Sequence, residues 1–354
     1  MAIGKKICLV IPSLQCGGAE RVISQLANKF VDENSVFLIL LANAEIFYEI
    51  DKRVTLITPD FETATLNRYL YAAKLFPFLR RTITEISPDT LLTFGRVYNP
   101  YVLIASLGLR IPVFVSDRGN PFYNSGFLNE TLRKIIYKKA AGIISQTKFS
   151  SEIVIKTIKH FNVKVIPNPI RAIVKHEIQR EKKIIFVGRL VKGKGVNYLL
   201  NAYAKLPFNE WKLEILGDGP EYKNLTLQAE NLDISNRVNF AGKVKDVDLY
   251  LSKAEIFVFP SLAEGFPNGL AEAMANGLAC ISFDCITGPS DLIENGVNGI
   301  LVKVGDEVTL QKKMIELIEN ESLRSSLQKK ALYINEDFHI DTISKIYLDF
   351  ITKY

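Results

Sequence analysis

The sequence predicts an α/β protein built on two parallel sheets, each covered by helices on both faces. Short apolar segments alternate with amphipathic ones from Lys6 onward, and the same alternation begins again at Ile184. Strands that are apolar throughout are typical of parallel sheets with helices on both sides. Between the two series, Pro167 and Pro169 favour an extended linker over a helix. We therefore predict two domains, residues 1–168 and 169–334, with the boundary at this linker.

The elements of the first series follow one another from the start of the chain. A strand is predicted at 6–11, a loop at 12–18 and an amphipathic helix at 19–30. Further strands are predicted at 36–41, 54–57, 89–94, 112–116, 142–145 and 163–166, with helical patterns between most of them. In the second series, a strand starts at Ile184 and a helix occupies 196–204. A further strand-like run at 255–261 precedes another helix.

Length and composition place the chain among ordinary globular proteins. At 354 residues it is too long for one hydrophobic core, and 48% hydrophobic and 23% charged residues are average values. No apolar run reaches the roughly 18 residues of a membrane helix, and Pro12 comes too early for the core of a signal peptide. We therefore expect a cytoplasmic protein. The four cysteines and three histidines lack metal-site spacing, which predicts free thiols and no metal.

Positive charge is concentrated in the first half of the chain. Residues 1–171 hold 22 Lys and Arg against 13 Asp and Glu, whereas residues 172–354 hold 22 against 25, and the two net charges, +9 and −3, add to +6. No nucleic-acid recognition motif accompanies this charge, so nucleic acid is not expected as a partner. An anionic membrane surface or a lipid-linked phosphate substrate explains the asymmetry better. A basic face that is only solvated remains an equal alternative.

Three loops of the first domain are candidates for contact with substrate. Gly17 and Gly18 follow the first strand and open a helix, and paired glycines let a backbone approach a phosphate or sugar closely. Asp117 stands at the end of another strand, within the segment Ser116–Pro121, and is suited to orient an acceptor hydroxyl or to take its proton. A turn or capping aspartate is the alternative for Asp117. The loop 95–100 is a second candidate on the acceptor side.

Strand ends of the second domain carry cations and glycines. Gly188 and Arg189 end one strand, and Lys194 precedes a helix, so the two cations can clamp a diphosphate. Gly217 ends the next strand in a tight turn. Further along the chain, the segment Gly242-Lys243-Val244 is a candidate contact for the base. Its glycine lets the backbone approach a flat ring closely. Taken alone, the loop 188–195 is more often a solvated turn than a phosphate site.

A segment with two glutamates follows the strand-like run at 255–261. Pro267 suits the first turn of a helix, and a helix start leaves backbone N–H groups that bind phosphate. We expect unpaired N–H groups at Phe266, Asn268, Gly269 and Leu270, with Glu272 one turn further on. The candidate donor-binding residues of this segment are Glu264, Gly265, Phe266, Pro267, Asn268, Gly269, Leu270 and Glu272.

Together these motifs resemble the donor domain of the retaining family 4 glycosyltransferases, whose architecture is called GT-B. The resemblance is carried by Gly188-Arg189-Leu190 through Lys194-Gly195, then by LGDGPE and NFAGKV, and last by two glutamates with seven residues between them. The string GGAER at 17–21 is also common in that family. Many relatives have a histidine near Asp117, whereas this chain has none before His160, which leaves the acceptor-side chemistry open.

The resemblance implies a fold and an activity. It implies two Rossmann-like domains that face each other across a cleft, the first for the acceptor and the second for a nucleotide sugar, with a last helix at about 335–354 packed on the first domain. The implied reaction transfers a hexose or N-acetylhexosamine, from UDP-hexose or UDP-HexNAc, with retention of configuration and without a metal. The implied acceptor is a glycan or a glycan linked to polyprenyl diphosphate in bacterial polysaccharide synthesis, at the inner face of the cytoplasmic membrane.

The same resemblance assigns roles to the candidate residues. Arg189 and Lys194 would stabilise the departing diphosphate, and Glu272 would bind the ribose hydroxyls. Glu264 would contact the sugar or its oxocarbenium-like transition state, with Asp117 on the acceptor side. A segment at 284–290 is similar to members that build lipid-linked or surface polysaccharides.

Three other functions stay open at this point. They are a related nucleotide-sugar epimerase or hydrolase, a catalytically silent partner subunit, and a dinucleotide oxidoreductase, although the last lacks the Gly-x-Gly-x-x-Gly spacing. Asp246-x-Asp248 spells a metal motif of other glycosyltransferases, but capping of the following helix is the better explanation. Two amphipathic stretches, 66–83 and 122–139, combine aromatic and basic residues and are candidates for membrane contact or for ordinary core packing.

Overall fold

Two parallel β-sheets, one in each part of the chain, form the framework of the protein. The computed structural model describes residues 4–119, 121–122 and 126–353. Asn120 of the predicted acceptor loop and residues 123–125 of the second amphipathic stretch therefore lie outside the described residues. One unit comprises Met1–Pro169 together with Ile340–Tyr354, and the other comprises Ile170–His339.

The first unit contains a sheet of seven parallel strands in the order β3-β2-β1-β4-β5-β6-β7. Its strands are β1 (Lys6–Ile11), β2 (Ser35–Leu40), β3 (Thr55–Ile57), β4 (Thr90–Phe94), β5 (Val113–Asp117), β6 (Gly142–Ser145) and β7 (Val163–Val165). Its helices before the linker are α1 (Gly18–Phe30), α2 (Arg68–Ile86), α3 (Asn99–Ala105), α4 (Phe127–Ile136) and α5 (Lys148–Ile158), and a 3-10 turn spans Tyr137–Lys139. The predicted parallel α/β fold is confirmed here.

Central β1 sets the position of the first candidate loop. Ile7 pairs with Val36 of β2 on one side and with Thr90 of β4 on the other, so the strand order reverses at β1. In such sheets, ligands bind beyond the carboxyl ends of the strands at the point of reversal. Gly17 and Gly18 follow β1, and the loop 95–100 follows β4. Two of the three candidate loops of this unit therefore leave the sheet at its point of reversal, and the third, with Asp117, follows β5.

The second unit contains a sheet of six parallel strands in the order β10-β9-β8-β11-β12-β13. Its strands are β8 (Lys183–Val187), β9 (Lys212–Leu216), β10 (Val238–Gly242), β11 (Ile256–Phe259), β12 (Ala279–Phe283) and β13 (Ile300–Val302). Its helices are α6 (Val196–Ala204), α7 (Tyr222–Asn231), α8 (Val247–Lys253), α9 (Asn268–Ala275), α10 (Pro289–Leu292), α11 (Glu307–Glu319), α12 (Glu321–Ala331) and α13 (Ile334–Asp337). Here the order reverses at β8, which pairs with both β9 and β11.

A final helix, α14 (Ile340–Ile351), packs on the core of the first unit. Ile343, Tyr347 and Ile351 are fully buried, and the ring of Phe350 lies 5.3 Å from the ring of Phe114 on β5. These buried residues recur at helical spacing, so α14 presents one apolar stripe, and this stripe packs on the sheet of the first unit. Among the described helices, none is long and apolar enough to cross a membrane.

Truncation of Phe350 tests how much α14 contributes to the first unit. We expect Phe350→Ala to lower the free energy of unfolding by about 3 kcal/mol, because it leaves a cavity against Phe114. Urea denaturation followed by circular dichroism measures the change, and Lys345→Ala, on the exposed side of the same helix, is the control. Equal midpoints for the two variants would show that the helix is not needed for the stability of this unit.

Candidate active site

Backbone hydrogen bonds join the loops that follow β8, β9 and β10. The N–H of Gly188 donates to the carbonyl of Leu216 at 3.0 Å, and the N–H of Gly217 donates to the carbonyl of Gly242 at 2.8 Å. The N–H of Leu190 also donates to the carbonyl of Asp218 at 3.0 Å. The predicted glycines after these strands therefore lie side by side at the carboxyl edge of the sheet.

Gly217 occupies a place that no other residue fits. Its φ of +131° is a conformation that residues with a Cβ rarely adopt, and an added Cβ would lie 1.8 Å from the carbonyl oxygen of Gly188. Gly219 is similarly restricted, since its Cβ would lie 2.3 Å from the carbonyl oxygen of Leu190. Gly242 has a φ of +67° and open space around it, with Lys243 exposed beside it.

Lys194 and Glu264 form an ion pair at the point where the sheet reverses. Lys194 ends a 3-10 turn, Lys192–Lys194, after β8, and Glu264 lies in the loop after β11. The Nζ of Lys194 is 2.5 Å from Oε1 of Glu264 and 5.4 Å from the ring centroid of Phe259. Both side chains are largely shielded, at 24% and 10% exposure. Two residues predicted for separate tasks are therefore partners in one ion pair.

Arg189 differs from Lys194 in having no such partner. Its side chain is exposed, and its guanidinium makes no hydrogen bond or ion pair with any residue the structure describes. The carbonyl of Arg189 accepts a hydrogen bond from the N–H of Val191 at 2.9 Å, which fixes the backbone of the turn. A guanidinium on a fixed turn, exposed to solvent, is available to an incoming anion.

Helix α9 begins at Asn268, next to the ion pair. The N–H groups of Phe266, Gly269 and Leu270 have no acceptor among the described residues, as predicted. The prediction for Asn268 is wrong, because its N–H donates to the carbonyl of Phe266 at 2.9 Å across the turn made by Pro267. The remaining groups still make the helix start an anion site, since the helix dipole adds to them.

A turn after β12 supports the loop that carries Glu264. The hydroxyl of Thr287 donates to the carbonyl of Glu264, and Gly288, with φ +100°, packs on Pro267 so closely that a Cβ would lie 2.4 Å from its ring. Burial raises the pKa of the neighbouring Cys285 thiol to about 11, so it stays a packing group. Segment 284–290, singled out in the sequence for its resemblance alone, is therefore a support for the Glu264 loop.

Glu272 lies one turn into α9 and has a partner that the sequence did not reveal. The Nε of Arg171 donates to Oε2 of Glu272 at 3.3 Å, and the same guanidinium binds Asp248. The other aspartate of the Asp-x-Asp motif, Asp246, caps α8 by accepting from the N–H of Leu249 at 3.0 Å, which confirms the predicted cap. Within 4–119, 121–122 and 126–353, no three metal-ligating side chains lie together.

In the first unit, Gly17 is held by a tyrosine. The hydroxyl of Tyr48 donates to the carbonyl of Gly17 at 2.9 Å and lies 3.2 Å from its N–H, which donates in return. An added Cβ on Gly17 would lie 2.1 Å from a carboxylate oxygen of Glu20. Gly18 is exposed and begins α1. Gly17 and Gly18 therefore form a fixed turn in which Gly18 is exposed.

Asp117 is buried in a network of charges. Its Oδ2 accepts from Arg133 at 3.0 Å, and the two side chains are only 6% and 5% exposed. Its Oδ1 has no hydrogen-bond partner among the described residues, and Asp117 lines a small cavity with Arg96. Burial raises the pKa of Asp117, and the guanidinium groups of Arg133 and Arg96 offset part of that effect. A raised pKa and an open acceptor oxygen make this carboxyl suited to receive a proton.

Arg118, next in sequence, fastens three parts of the first unit. Its guanidinium donates to Asn168 at 2.8 Å and to the hydroxyl of Tyr347 on α14 at 2.7 Å, and it stacks 4.0 Å from the ring of Phe94. Burial lowers the pKa of Arg118 from its usual value. These hydrogen bonds and the ring contact engage the guanidinium of Arg118. Arg118 therefore joins the end of β5 to the linker and to α14.

Comparison with known proteins identifies similar chains. The family described as Glycosyltransferase Family 4 matches residues 16–172, and the family described as Glycosyl transferases group 1 matches residues 171–332. An α-1,4-N-acetyl-D-galactosaminyltransferase of Campylobacter jejuni, whose name specifies a diNAcBac-PP-undecaprenol acceptor, is 29% identical over 98% of both chains. The amylovoran biosynthesis glycosyltransferase AmsD of Erwinia amylovora is 24% identical over 98% of this chain and 99% of that one. The crystal structure of Anabaena HepE with UDP superposes with a TM-score of 0.82 at 20% identity, over 99% and 100% of the chains.

Substitution of Gly217 tests the close packing of these loops. We expect Gly217→Ala to destabilise the second unit by at least about 2 kcal/mol, because both its φ and its contact with Gly188 forbid a Cβ. Gly193→Ala is the control, since a Cβ there meets nothing within 4 Å. Thermal unfolding measures both variants. An unchanged Tm for Gly217→Ala would mean that the loops can separate without cost.

Proposed function

The chain belongs to the glycosyltransferases of GT-B architecture, with a Family 4 first half and a group 1 second half, and we propose that it transfers a hexose or N-acetylhexosamine from a UDP-sugar. The acceptor is a hydroxyl of a glycan or lipid-linked glycan in bacterial polysaccharide synthesis, and the donor's configuration is retained. The observation that carries this proposal is the Lys194–Glu264 pair, 2.5 Å apart beside the start of α9. Further support comes from the undecaprenol-linked acceptor named for the Campylobacter enzyme and from the UDP in Anabaena HepE.

The donor diphosphate is bound by cations and by the helix start. Lys194 exchanges Glu264 for a phosphate oxygen, and exposed Arg189 closes on the same group. The N–H groups of Gly269 and Leu270 add two donors. As the bond from C1 to the diphosphate oxygen breaks, the electron pair leaves with the diphosphate, and these groups stabilise the developing charge.

Exchange of partners at Lys194 releases Glu264 toward the sugar. Its carboxylate then accepts from a sugar hydroxyl and stabilises positive charge at the anomeric carbon. The acceptor oxygen bonds to C1 on the face that the diphosphate leaves, which gives retention. Its proton passes to the departing phosphate oxygen or to an acceptor-side carboxyl. Asp117 is the candidate for that carboxyl, because its pKa is raised and its Oδ1 has no partner in the part of the chain that the structure describes.

The nucleoside end of the donor lies toward β10 and α9. Glu272 accepts from the two ribose hydroxyls, and the segment Gly242, Lys243 and Val244 contacts the base. The positive φ of Gly242 and the open space around it let backbone groups reach a flat ring. No metal is required in this scheme, because Asp246 and Asp248 of the Asp-x-Asp motif are engaged as a helix cap and as a partner of Arg171.

A membrane surface is the proposed location of the acceptor. Helix α4 exposes Phe127 and Ile135 by 83% and 64%, next to exposed Lys134, Lys138 and Lys139. Aromatic and aliphatic side chains beside lysines suit an anionic interface. In the other candidate stretch, 66–83, Phe78 is buried and Tyr71 and Phe76 pack against the core, whereas Tyr69 is 85% exposed. Three of its four aromatic side chains therefore fit the structural interpretation.

A donor panel tests the function. The protein is incubated with UDP-glucose, UDP-galactose, UDP-GlcNAc or UDP-GalNAc, in each case with and without a chelator and with and without polyprenyl diphosphate-linked glycans. We expect UDP release that requires the acceptor and an α-linked product by NMR. UDP release without acceptor would favour a hydrolase or epimerase, inverted product would refute retention, and complete inhibition by the chelator would refute metal independence. No turnover of any donor would favour a silent partner subunit.

Loss of either cation should slow the reaction. We expect Arg189→Ala and Lys194→Ala each to lower kcat/KM about a hundredfold, because each removes a charge-assisted contact worth a few kcal/mol in the transition state. Steady-state assays of UDP release measure this. Lys192→Ala, an exposed lysine of the same 3-10 turn, is the matched control. Activity within about twofold of wild type in either test variant would refute the clamp.

Membrane contact through α4 is tested with liposomes. We expect the double change Phe127→Ser and Ile135→Ser to weaken co-sedimentation with anionic vesicles about tenfold, since two apolar side chains no longer enter the interface. Phe161→Ser, which alters a side chain that is 93% exposed elsewhere in the unit, is the control. Equal binding of both proteins, or no binding of wild type at low salt, would contradict a membrane role for α4.

A further inference from the structure

Arg171 occupies an unusual position just after the interdomain linker. Its guanidinium binds Asp248 with two nearly parallel hydrogen bonds, from Nη1 to Oδ2 at 2.5 Å and from Nη2 to Oδ1 at 2.7 Å. Its third nitrogen, Nε, donates to Oε2 of Glu272 at 3.3 Å. Through one side chain, the start of the second unit is therefore bound to both α8 and α9.

Asp248 is the fixed end of this arrangement. Its side chain is 2% exposed and also accepts from the N–H of Val174 at 2.9 Å and from the side chain of Asn276 at 3.1 Å. Burial alone would raise the pKa of Asp248, but the hydrogen bonds from Arg171, Val174 and Asn276 outweigh it and lower the pKa. The carboxylate is therefore charged and held by several donors, which fixes the orientation of the guanidinium bound to it.

We propose that Arg171, held by Asp248, is a positioning residue that sets the Glu272 carboxylate for nucleotide binding. This inference rests on the proposed function, in which Glu272 binds the ribose. A glutamate side chain has three rotatable bonds, and ordering it at the moment of binding reduces affinity. The contact from Nε restricts that rotation beforehand.

The fork geometry explains why arginine is needed at this place. The two terminal nitrogens are committed to Asp248, and only the planar guanidinium presents a third donor at a fixed angle to them. Lysine could neutralise Asp248 but has no rigid third donor for Glu272. The two aspartates of the Asp-x-Asp motif therefore have different roles: Asp246 caps α8, and Asp248 orients Arg171.

Removal of the guanidinium tests the inference with UDP as the probe. We expect Arg171→Met to raise the Kd for UDP, by isothermal titration calorimetry, and the KM for the nucleotide sugar about tenfold each, as loss of a charge-assisted contact predicts, with kcat near wild type. Arg171→Lys should resemble Arg171→Met in UDP affinity. In a Glu272→Ala background, Arg171→Met should weaken UDP binding no further, because its effect acts through that carboxylate.

A matched control separates positioning from stability. Arg324 is a shielded arginine of the same unit whose Nε lies 3.5 Å from Glu255, before β11 at the amino end of the sheet. Arg324→Met should lower the Tm but leave the Kd for UDP unchanged. If Arg171→Met does not fold, Asp248→Asn keeps the side-chain shape, and its Kd for UDP should rise several-fold.

Several outcomes would overturn the inference. An unchanged Kd in folded Arg171→Met or Asp248→Asn would do so, as would an equal extra loss in the Glu272→Ala background. If Glu272→Ala binds UDP weakly but Arg171→Met binds it normally, only the positioning role is wrong. If Glu272→Ala itself binds UDP with normal affinity, the proposed ribose contact is wrong and the inference fails with it.

Discussion

The candidate site depends on the position of β8 between β9 and β11. Parallel pairing on both sides places the ends of these strands at one edge, where Gly188, Gly217 and the loop of Glu264 meet. Backbone groups from neighbouring loops then approach so closely that a Cβ on Gly217 would lie 1.8 Å from a carbonyl oxygen. No side chain fits between the backbones at this point. The loops that carry the cations and carboxylates therefore have little freedom to shift.

Within the candidate site, the charges differ in how they are compensated. Lys194 is neutralised by Glu264, and Arg171 is neutralised by Asp248 and Glu272, whereas Arg189 has no ionic partner among the described residues. Lys194 and Glu264, mostly shielded from water, hold two opposite charges next to each other. In the proposed donor complex, a diphosphate replaces Glu264 as the partner of Lys194, which makes both side chains available at once.

Much of this arrangement could be predicted from the sequence, because its signals are local. Apolar strands ending in glycine and the start of α6 at Val196 follow from residue type and spacing, and the α/β class follows from their alternation. The missed contacts are those between distant residues. Arg171 is 77 residues from Asp248 and 101 from Glu272, and nothing in the linker marks it as their partner. The error at Asn268 has a different cause, since the turn at Pro267, with φ −83° and ψ 69°, closes a local hydrogen bond that a regular helix start lacks.

The return of α14 to the first unit has a consequence for synthesis of the chain. Residues 170–339 form one continuous stretch, so the second unit can fold as soon as it leaves the ribosome. The first unit, although made earlier, lacks the helix that covers Phe114 and the hydroxyl of Tyr347 that binds Arg118 until the last residues emerge. Lys5 Nζ also donates to the carbonyl of Thr352 at 2.6 Å, which joins the two ends of the chain. The unit whose strands are translated first is therefore completed only after the second unit has been made, and the sheet face that α14 covers stays open until then.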